Sequence, residues 1–196
     1  MANCLNSRIW RIALFAALLI LFTQTVVPAE PGINAAVSVP PAGCDVRLLK
    51  DRDYLPALLE GIDQARREIA LSIFFFKTNG FRDNQPDRVL SRLREEVRRG
   101  VKVDAVIEQG QKGDNISGSN AETVKKLKAA GIAVCMDEQD RTTHAKMVII
   151  DRRFLFIGSH NLTQSALKYN HEVSVRIDSP SLAGEALQYV KSLCPR

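Results

Sequence analysis

The sequence predicts an α/β domain built on one mixed β-sheet of about seven strands, with helices on both faces. After Cys44, short apolar runs typical of buried strands alternate with stretches whose apolar residues recur at helical spacing. The chain has 196 residues, of which 45% are hydrophobic. That is enough for one core but little for two, so we expect a single domain without internal repeats.

The first half of the domain shows four strands and three helices. The segment IALSIFFF is apolar without alternation, as in a strand covered on both faces. Leu55, Leu58 and Leu59 share one face of the first helix, and Asp87 is placed to cap the second, which stops at Gly100. The expected strands are residues 45–49, 69–76, 101–108 and 132–136, the helices 54–68, 87–99 and 121–130, and the polar loops 77–86 and 109–120.

The second half begins with a hairpin. Two apolar runs, residues 146–150 and 154–158, flank the turn residues 151–153. A helical turn is expected at residues 163–168 and an alternating strand at residues 172–177. Ser179 then caps a final helix that reaches about residue 193.

The N-terminal 43 residues are expected to lie outside the folded domain. Arg8 and Arg11 precede an apolar run at residues 12–22, and small residues follow near Ala29, which is typical of a secretory signal peptide. The alternative is an uncleaved membrane anchor, although a full span needs about 20 apolar residues. The sequence therefore predicts a signal peptide at residues 1–29, a linker at 30–43 and a domain at 44–196, with export to the periplasm or outside the cell.

The net charge limits the choice of binding partners only weakly, and the cysteines leave the disulfide pairing open. The formal net charge of +5 favours phosphate-bearing partners, either nucleic acid or anionic lipid. Cys44, Cys135 and Cys194 remain after the signal peptide, an odd number for an exported chain. Cys44 and Cys194 can pair and tie the two ends of the domain together, or all three can be reduced thiols. None of them has the spacing of a structural zinc site.

Polar residues gather at the open end of the predicted hairpin. His144 and Lys146 are two apart and so point to the same face of a strand. The return strand delivers Ser159 and Asn161 to the same edge of the sheet. Imidazole can attack phosphorus, and the ammonium, hydroxyl and amide groups suit phosphate oxygens. The residues alone therefore indicate phosphoryl chemistry, against the simpler alternative of a hairpin with a polar rim.

The joint pattern resembles the phospholipase D superfamily. His144-Ala145-Lys146 followed by Asp151 is similar to its HxK-x4-D signature, and Gly158-Ser159-His160-Asn161 to its Gly-Ser-x-Asn element. Glu172, at the start of a later strand, is similar to its final acidic residue. A motif of several parts in its expected structural context is more specific than a short one.

The resemblance implies a role for each matching residue. His144 would be the nucleophile that forms a phosphohistidine, and Glu172 would accept a hydrogen bond from its other ring nitrogen. Lys146 and Asn161 would bind phosphate oxygens, with Ser159 in support. Asp151 belongs to the signature but would hold the turn. The implied catalytic set is His144, Lys146, Asp151, Ser159, Asn161 and Glu172, and the substrate-binding set is Lys146, Ser159, Asn161 and Arg141; no metal or cofactor would be required.

The resemblance also implies a homodimer. The chain has one such motif, whereas the mechanism uses two histidines, one to attack and one to protonate the leaving oxygen. Short members, the bacterial Nuc-type endonucleases and the mitochondrial cardiolipin hydrolase/Zucchini type, build a shared site across a two-fold axis. Arg141 is placed to meet a polyanion at the mouth of the site. His160 is expected on the rim, His171 at the surface, and residues 74–76 in the core.

The expected function is an exported, metal-independent endonuclease that cleaves DNA or RNA. The first alternative is a phospholipase D that hydrolyses phospholipid head groups. The second is a catalytically silent protein that binds nucleic acid or membranes. Fold alone does not select among them, because the groove around the site determines the substrate.

Overall fold

The computed structural model describes residues 44–111, 114–137 and 141–194. Seven strands form one sheet in the order β1-β7-β6-β5-β2-β3-β4. The strands are β1 (Asp45–Lys50), β2 (Glu68–Ile73), β3 (Lys102–Glu108), β4 (Ala133–Asp137), β5 (Lys146–Ile150), β6 (Phe154–Gly158) and β7 (Val173–Asp178). The helices are α1 (Tyr54–Asp63), α2 (Gln85–Arg98), α3 (Asn115–Ala129), α4 (Gln164–Lys168) and α5 (Pro180–Ser192). The predicted mixed α/β fold is confirmed.

The strand directions bring several chain segments to one edge of the sheet. β2, β3 and β4 run parallel, and β5 runs antiparallel to β2, with Lys146 opposite Ile73. β6 and β7 follow as antiparallel neighbours, with Gly158 opposite Ser174. The ends of β2, β3, β4 and β6 therefore lie beside the starts of β5 and β7. We call this the carboxyl edge, where open α/β sheets usually bind ligands.

Helices cover both faces of the sheet, but unequally. Helices α1 to α4 enclose the larger core, to which β2 contributes Ile69, Leu71 and Ile73. The alternate residue Ala70 points to a smaller core under α5. The prediction of helices on both faces is confirmed, and the buried strands explain the unbroken apolar run in β2.

The boundaries of α1 and α2 differ from the sequence prediction. Helix α1 ends at Asp63 rather than at residue 68, because the Asp151 carboxylate accepts the backbone N–H groups of residues 66–68. Helix α2 begins at Gln85, with the Asn84 side chain as its cap. Asp87 is not the cap: its carboxylate accepts the N–H groups of Asn79 and Gly80.

The predicted loop at residues 109–120 is half helix. Helix α3 begins at Asn115, where the Asp114 side chain caps it by accepting the N–H of Ser117. The Gly- and Ser-rich composition suggested a loop, yet Asn120 is fully buried and bound to backbone groups of distant segments. Strand β2 also stops three residues early, at Ile73, because the N–H of Phe76 turns to Asn120 Oδ1, 2.9 Å away.

A disulfide joins Cys135 of β4 to Cys194, just after α5, with 6.4 Å between the Cα atoms. The suggested Cys44–Cys194 pair is therefore wrong, and Cys44 is a free thiol. The physical reason is the strand order: Cys44 leads into β1 at one side of the sheet, whereas β4 lies at the other. Sequence spacing alone does not reveal that order.

We expect loss of this disulfide to destabilise the domain substantially. The bridge spans a sequence separation of 59 residues, and closing a loop of that size stabilises the folded state by about 4 kcal/mol. Denaturant unfolding of the Cys135→Ser, Cys194→Ser double variant should show that loss in the free energy of unfolding. Cys44→Ser is the matched control and should unfold like the parent. Equal stability of all three proteins would contradict the bridge.

Residues 1–43 lie outside the described part of the chain, so the signal peptide at 1–29 and the linker at 30–43 stay predictions. Among the described residues, none of the helices has both the length and the apolar character needed to cross a bilayer.

Candidate active site

The carboxyl edge brings together most of the predicted site residues. Lys146 begins β5, with His144 two residues before it, and Ser159 directly follows β6. Glu172 directly precedes β7, which pairs with β6. The hairpin bounds predicted from the sequence, residues 146–150 and 154–158, are those observed. The structure thus places these four residues on adjacent strands at one edge.

His144 and Lys146 form a close pair over an aromatic ring. Lys146 Nζ lies 3.1 Å from His144 Nδ1 and donates to the His144 carbonyl oxygen at 2.7 Å. The ring of Phe74 lies 4.3 Å from the imidazole, centroid to centroid, and 4.7 Å from Lys146 Nζ. The sequence assigned Phe74 to the core together with Phe76. Only Phe76 is fully buried, and half-buried Phe74 is instead the floor of the site.

Ser159 and Glu172 are hydrogen-bonded to each other. Ser159 Oγ donates to Glu172 Oε2 and accepts the backbone N–H of Val173 at 3.0 Å. Asn170 Nδ2 donates to the other carboxylate oxygen of Glu172 at 3.1 Å. The hydrogen bond expected between Glu172 and His144 is not among those that the described residues form; the observed donors to the Glu172 carboxylate are Ser159 and Asn170.

Asn161 lies beside the continuation of β2. Leu162, the next residue, donates its N–H to the carbonyl of Phe75 and accepts the N–H of Lys77 at 2.9 Å. Oδ1 of Asn161 is buried, and none of the described residues gives it a hydrogen-bond partner. A buried amide oxygen without a partner is unusual. The Asn161 amide oxygen can therefore still accept a hydrogen bond.

Asp151 and Arg141 lie apart from this cluster. Asp151 follows the last residue of β5, at the opposite end from Lys146, and its carboxylate accepts three backbone N–H groups at 2.8 to 3.0 Å. It anchors the turn and does not join the cluster, although the signature placed it in the catalytic set. Arg141 is exposed, three residues before His144. The described contacts give it no fixed position toward a substrate.

The other two histidines differ from each other. His160 is fully buried, not on the rim, and its ring stacks on Tyr54 at 4.3 Å. Its Nε2 faces the carbonyl oxygen of Asp51 at 2.9 Å, so Nε2 carries the proton and Nδ1 accepts the hydroxyl of Ser174. Burial lowers the pKa of His160. His171 has a fully exposed side chain, as expected for a surface residue.

The comparisons identify the family. The model of the family described as "Cardiolipin synthase, PLD-like domain" matches residues 58–194, which include every residue of the motif. The chain belongs to the phospholipase D superfamily. This agrees with the HxK-x4-D resemblance and with its expected fold.

Individual relatives of this superfamily support the assignment. The mitochondrial cardiolipin hydrolase of Canis lupus familiaris is 30% identical over 156 residues, 78% of this chain and 56% of that protein. A phospholipase D of Rickettsia bellii is 28% identical over 149 residues, 76% of this chain and 63% of that protein. The chain thus spans little more than half of the cardiolipin hydrolase.

A solved structure shows the same fold. Nuc from Salmonella typhimurium, a phospholipase D family member, superposes with a TM-score of 0.65 at 23% identity, over 76% of this chain and 93% of that chain. At this identity the likeness shows the fold alone.

Sequence reasoning missed the network that holds the start of this phospholipase D motif. Glu108, the buried last residue of β3, accepts the N–H of Thr143 at 2.6 Å and the N–H of Gly110 at 2.9 Å. The Thr143 hydroxyl donates to Asp137, the buried last residue of β4. Two carboxylates thus fix the residue before His144. An acidic residue ending an apolar strand, as in VDAVIE, was the only local signal.

The environment tunes the two basic groups of the site in the same direction. Burial, and then the neighbouring Lys146 charge, lower the pKa of His144 below its ordinary value of 6.5, while Glu108 opposes the shift. Burial lowers the pKa of Lys146 to about 8, while Glu172 opposes the shift. At neutral pH the imidazole is therefore mostly neutral and the ammonium mostly charged, which suits a nucleophile beside a phosphate-binding cation.

Glu108→Gln should slow catalysis by about tenfold or more, since a small displacement of a reacting group is costly. Glutamine has one acceptor oxygen, so either Thr143 or Gly110 loses its partner. The lost charge also lets the pKa of His144 fall further, which an NMR titration of the His144 ring can detect. Glu185→Gln, on the exposed side of α5, is the matched control. An unchanged His144 titration would contradict this role.

Deprotonation of Lys146 should cause the loss of activity at alkaline pH. Its ammonium is charged below a pKa of about 8 and loses its charge above it, so kcat/KM should decline as the pH rises through about 8. Arginine stays charged over this range. A Lys146→Arg variant should therefore lose the decline even though its absolute rate is lower. A decline at the same pH in both proteins would assign the limit to another group.

Among residues 44–111, 114–137 and 141–194, no three His, Cys, Asp or Glu side chains gather closely enough to hold a metal ion.

Proposed function

We propose that this protein hydrolyses phosphodiester bonds through a phosphohistidine intermediate. The observation that carries the proposal is the His144–Lys146 pair at the carboxyl edge, next to the Ser159–Glu172 pair and the Asn161 amide. A phosphate in this position meets a mostly neutral imidazole and the Lys146 ammonium. Lys146 Nζ lies 3.1 Å from His144 Nδ1, so one phosphate group can contact both the ammonium and the imidazole.

The reaction then proceeds in two displacements. In the first, a ring nitrogen of His144 attacks phosphorus, a P–N bond forms, and the P–O bond to the leaving group breaks. A second, protonated imidazole gives its proton to the leaving oxygen. In the second displacement, water attacks phosphorus, the P–N bond breaks, and the proton of water passes to the second imidazole. The phosphate monoester and the released alcohol account for all atoms of the diester and water.

The second imidazole would come from another copy of the chain. Of the described histidines, only His144 lies beside Lys146, because His160 is buried and His171 faces solvent. A two-fold axis near His144 would bring in the partner subunit's His144.

An exposed apolar strip supports this homodimer. Val46, Leu48, Ile157 and Val173 lie on one face of β1, β6 and β7, next to Ser159 and Glu172, and each is more than a third exposed. Contiguous exposed apolar residues beside a site favour a protein contact. The molar mass in solution, measured by light scattering, should be twice that of the chain. A monomer that turns over substrate would contradict the shared site.

The substrate we favour is nucleic acid, cleaved without a metal ion. The support is the basic character of the chain, which has 27 Lys and Arg against 22 Asp and Glu. The second candidate is a phospholipid. The names of two relatives, a mitochondrial cardiolipin hydrolase and a phospholipase D, favour it.

One panel of assays separates the two candidates. The purified protein is offered single-stranded DNA, duplex DNA, RNA and vesicles of phosphatidylcholine or cardiolipin, all in excess EDTA. Nucleic-acid cleavage that is lost in His144→Ala supports the nuclease. Turnover of lipid alone moves the assignment to phospholipase D. Activity that disappears in EDTA and returns with a divalent ion would overturn the metal-independent mechanism.

We also propose that the protein is exported. The Cys135–Cys194 disulfide suits an oxidising compartment such as the periplasm or the extracellular space. It adds to the signal-peptide pattern of residues 1–29. The N-terminal sequence of the protein isolated from its cells would show whether cleavage occurs near Ala29.

A further inference from the structure

A short loop stands next to Asn161 and is tied to the same segment at both ends. We call residues 77–84, between β2 and α2, the Phe81 loop. At its start, the N–H of Lys77 donates to the carbonyl of Leu162 at 2.9 Å. Just past its end, the N–H of Gln85 donates to Gln164 Oε1 at 2.8 Å. The loop therefore leaves and re-enters the fold beside the chain that carries Asn161.

Internal hydrogen bonds hold the Phe81 loop in shape. The Asp87 carboxylate accepts the N–H groups of Asn79 and Gly80 at 2.9 and 3.0 Å. The Phe81 N–H donates to Asn79 Oδ1 at 2.9 Å, and the Phe81 carbonyl accepts the N–H of Asn84 at 3.0 Å. Within this frame the Phe81 side chain is 73% exposed. Its exposure is thus a feature of a braced turn, and the ring is available to a partner.

Phe81 lines a cleft in which arginines outnumber carboxylates. The cleft, about 490 Å³ in volume, lies between the loop and α2, and Phe81 and Leu90 are its apolar residues. Arg82, Arg88, Arg92 and Arg94 line it as well. The described residues pair Arg92 with Asp63 and Glu95 but give the other three arginines no carboxylate partner. Asp87 and Glu95 line the cleft too, so its four arginines and two carboxylates leave a net formal charge of +2.

We propose that this cleft binds an unpaired nucleotide of single-stranded nucleic acid, with its base stacked on Phe81. Arg82, Arg88 and Arg94 would face the phosphates on either side of that nucleotide. The strand would then pass Lys77 and Asn161 to reach His144. Stacking on an exposed aromatic ring beside cations is how proteins hold single strands without reading sequence. Base faces in a duplex are already stacked, so the cleft selects single strands. This inference rests on the proposed nuclease activity and names its substrate class.

The test compares Phe81→Ala, Phe81→Leu and Phe81→Trp with Tyr189→Ala. Tyr189 is the matched control, an aromatic residue on α5 that is 51% exposed. Each protein is assayed on a single-stranded oligonucleotide of about 16 nucleotides, which covers an extended site, and on bis(p-nitrophenyl) phosphate. The same substitutions in a His144→Ala background give the dissociation constant for the oligonucleotide by fluorescence anisotropy.

Loss of stacking should appear as weaker binding. Phe81→Ala and Phe81→Leu should raise KM and the dissociation constant for the oligonucleotide about tenfold. The ratio of kcat/KM for the oligonucleotide to that for the small diester should fall by the same factor. Phe81→Trp and Tyr189→Ala should stay close to the parent.

Three outcomes would overturn the inference. In the first, Phe81→Ala binds the oligonucleotide as tightly as Tyr189→Ala does. In the second, Phe81→Leu and Phe81→Trp bind the oligonucleotide equally well, and Phe81→Ala loses binding to cardiolipin vesicles. That result would indicate that the Phe81 loop binds membranes. In the third, Phe81→Ala slows both substrates equally, which indicates a structural role. If the parent protein hydrolyses the small diester but no nucleic acid, the proposed nuclease activity is refuted. Fluorescence anisotropy would still show whether the cleft binds the oligonucleotide.

Discussion

Replacement of His144 by alanine should reduce turnover by about 10⁴-fold or more, the scale expected for a missing nucleophile. The fold should survive, because the only described contacts of the partly covered imidazole are with Lys146 Nζ and the ring of Phe74. The measurement is kcat on whichever substrate the panel identifies, together with the thermal midpoint. His171→Ala is the matched control, since that side chain is fully exposed. Retention of even a few per cent of the activity would contradict a phosphohistidine on His144.

The same variant tests whether the site is shared. If each site needs one histidine from each subunit, mixed dimers of parent and His144→Ala chains lack one of the two. Exchange of subunits with an excess of His144→Ala should therefore depress activity below the value expected from dilution. Independent sites within each chain would give the dilution value.

Asn120→Ala should cost about 3 to 5 kcal/mol of the free energy of unfolding. The fully buried Asn120 side chain accepts the N–H of Phe76 at 2.9 Å and donates to the carbonyls of Phe74 and Glu108 at 2.8 and 2.7 Å. Alanine leaves three backbone groups unsatisfied, and each buried group without a partner costs about 1 to 3 kcal/mol. Denaturant unfolding measures the loss, with Asn115→Ala, exposed in the first turn of α3, as the control.

Asn120→Ala should also lower activity, because Asn120 fixes the backbone of Phe74, which underlies His144 and Lys146. A variant as stable as the Asn115→Ala control would show that water or a rearranged neighbour satisfies the exposed backbone groups. A stable variant with reduced activity would separate the two effects.

The sequence pattern predicted correctly those strands and turns that depend on neighbouring residues along the chain. The hairpin at residues 146–158 alternates between apolar runs and a polar turn, and its observed bounds match the prediction. The motif residues could be placed because strand geometry fixes which side chains share a face and which strand ends meet. His144, Lys146, Ser159 and Asn161 followed from that geometry, whereas Glu172 was predicted only from the resemblance to the phospholipase D superfamily.

What the sequence concealed depends on contacts between distant segments. Asn120 bonds residues that lie 12 to 46 positions away, and Glu108 reaches Thr143 across 35 positions. No periodicity marks such pairs, so Asn120 was assigned to a loop and Glu108 to an ordinary strand end. Phe74 was taken for core because it belongs to an apolar run, and only its packing on His144 shows otherwise. The Cys135–Cys194 pair required the order of strands in the sheet.

The position of Asp151 gives the spacing in the HxK-x4-D signature a structural meaning. Strand β5 has Lys146 at one end and is followed at the other by Asp151, whose carboxylate is locked onto the backbone that starts β2. The four residues between Lys146 and Asp151 are thus needed to span strand β5, and none of them is needed for the chemistry. Deleting one of them would keep every reactive group in the sequence. Yet a one-residue slip turns each side chain to the opposite face, so either the anchor or the Lys146 ammonium would point the wrong way.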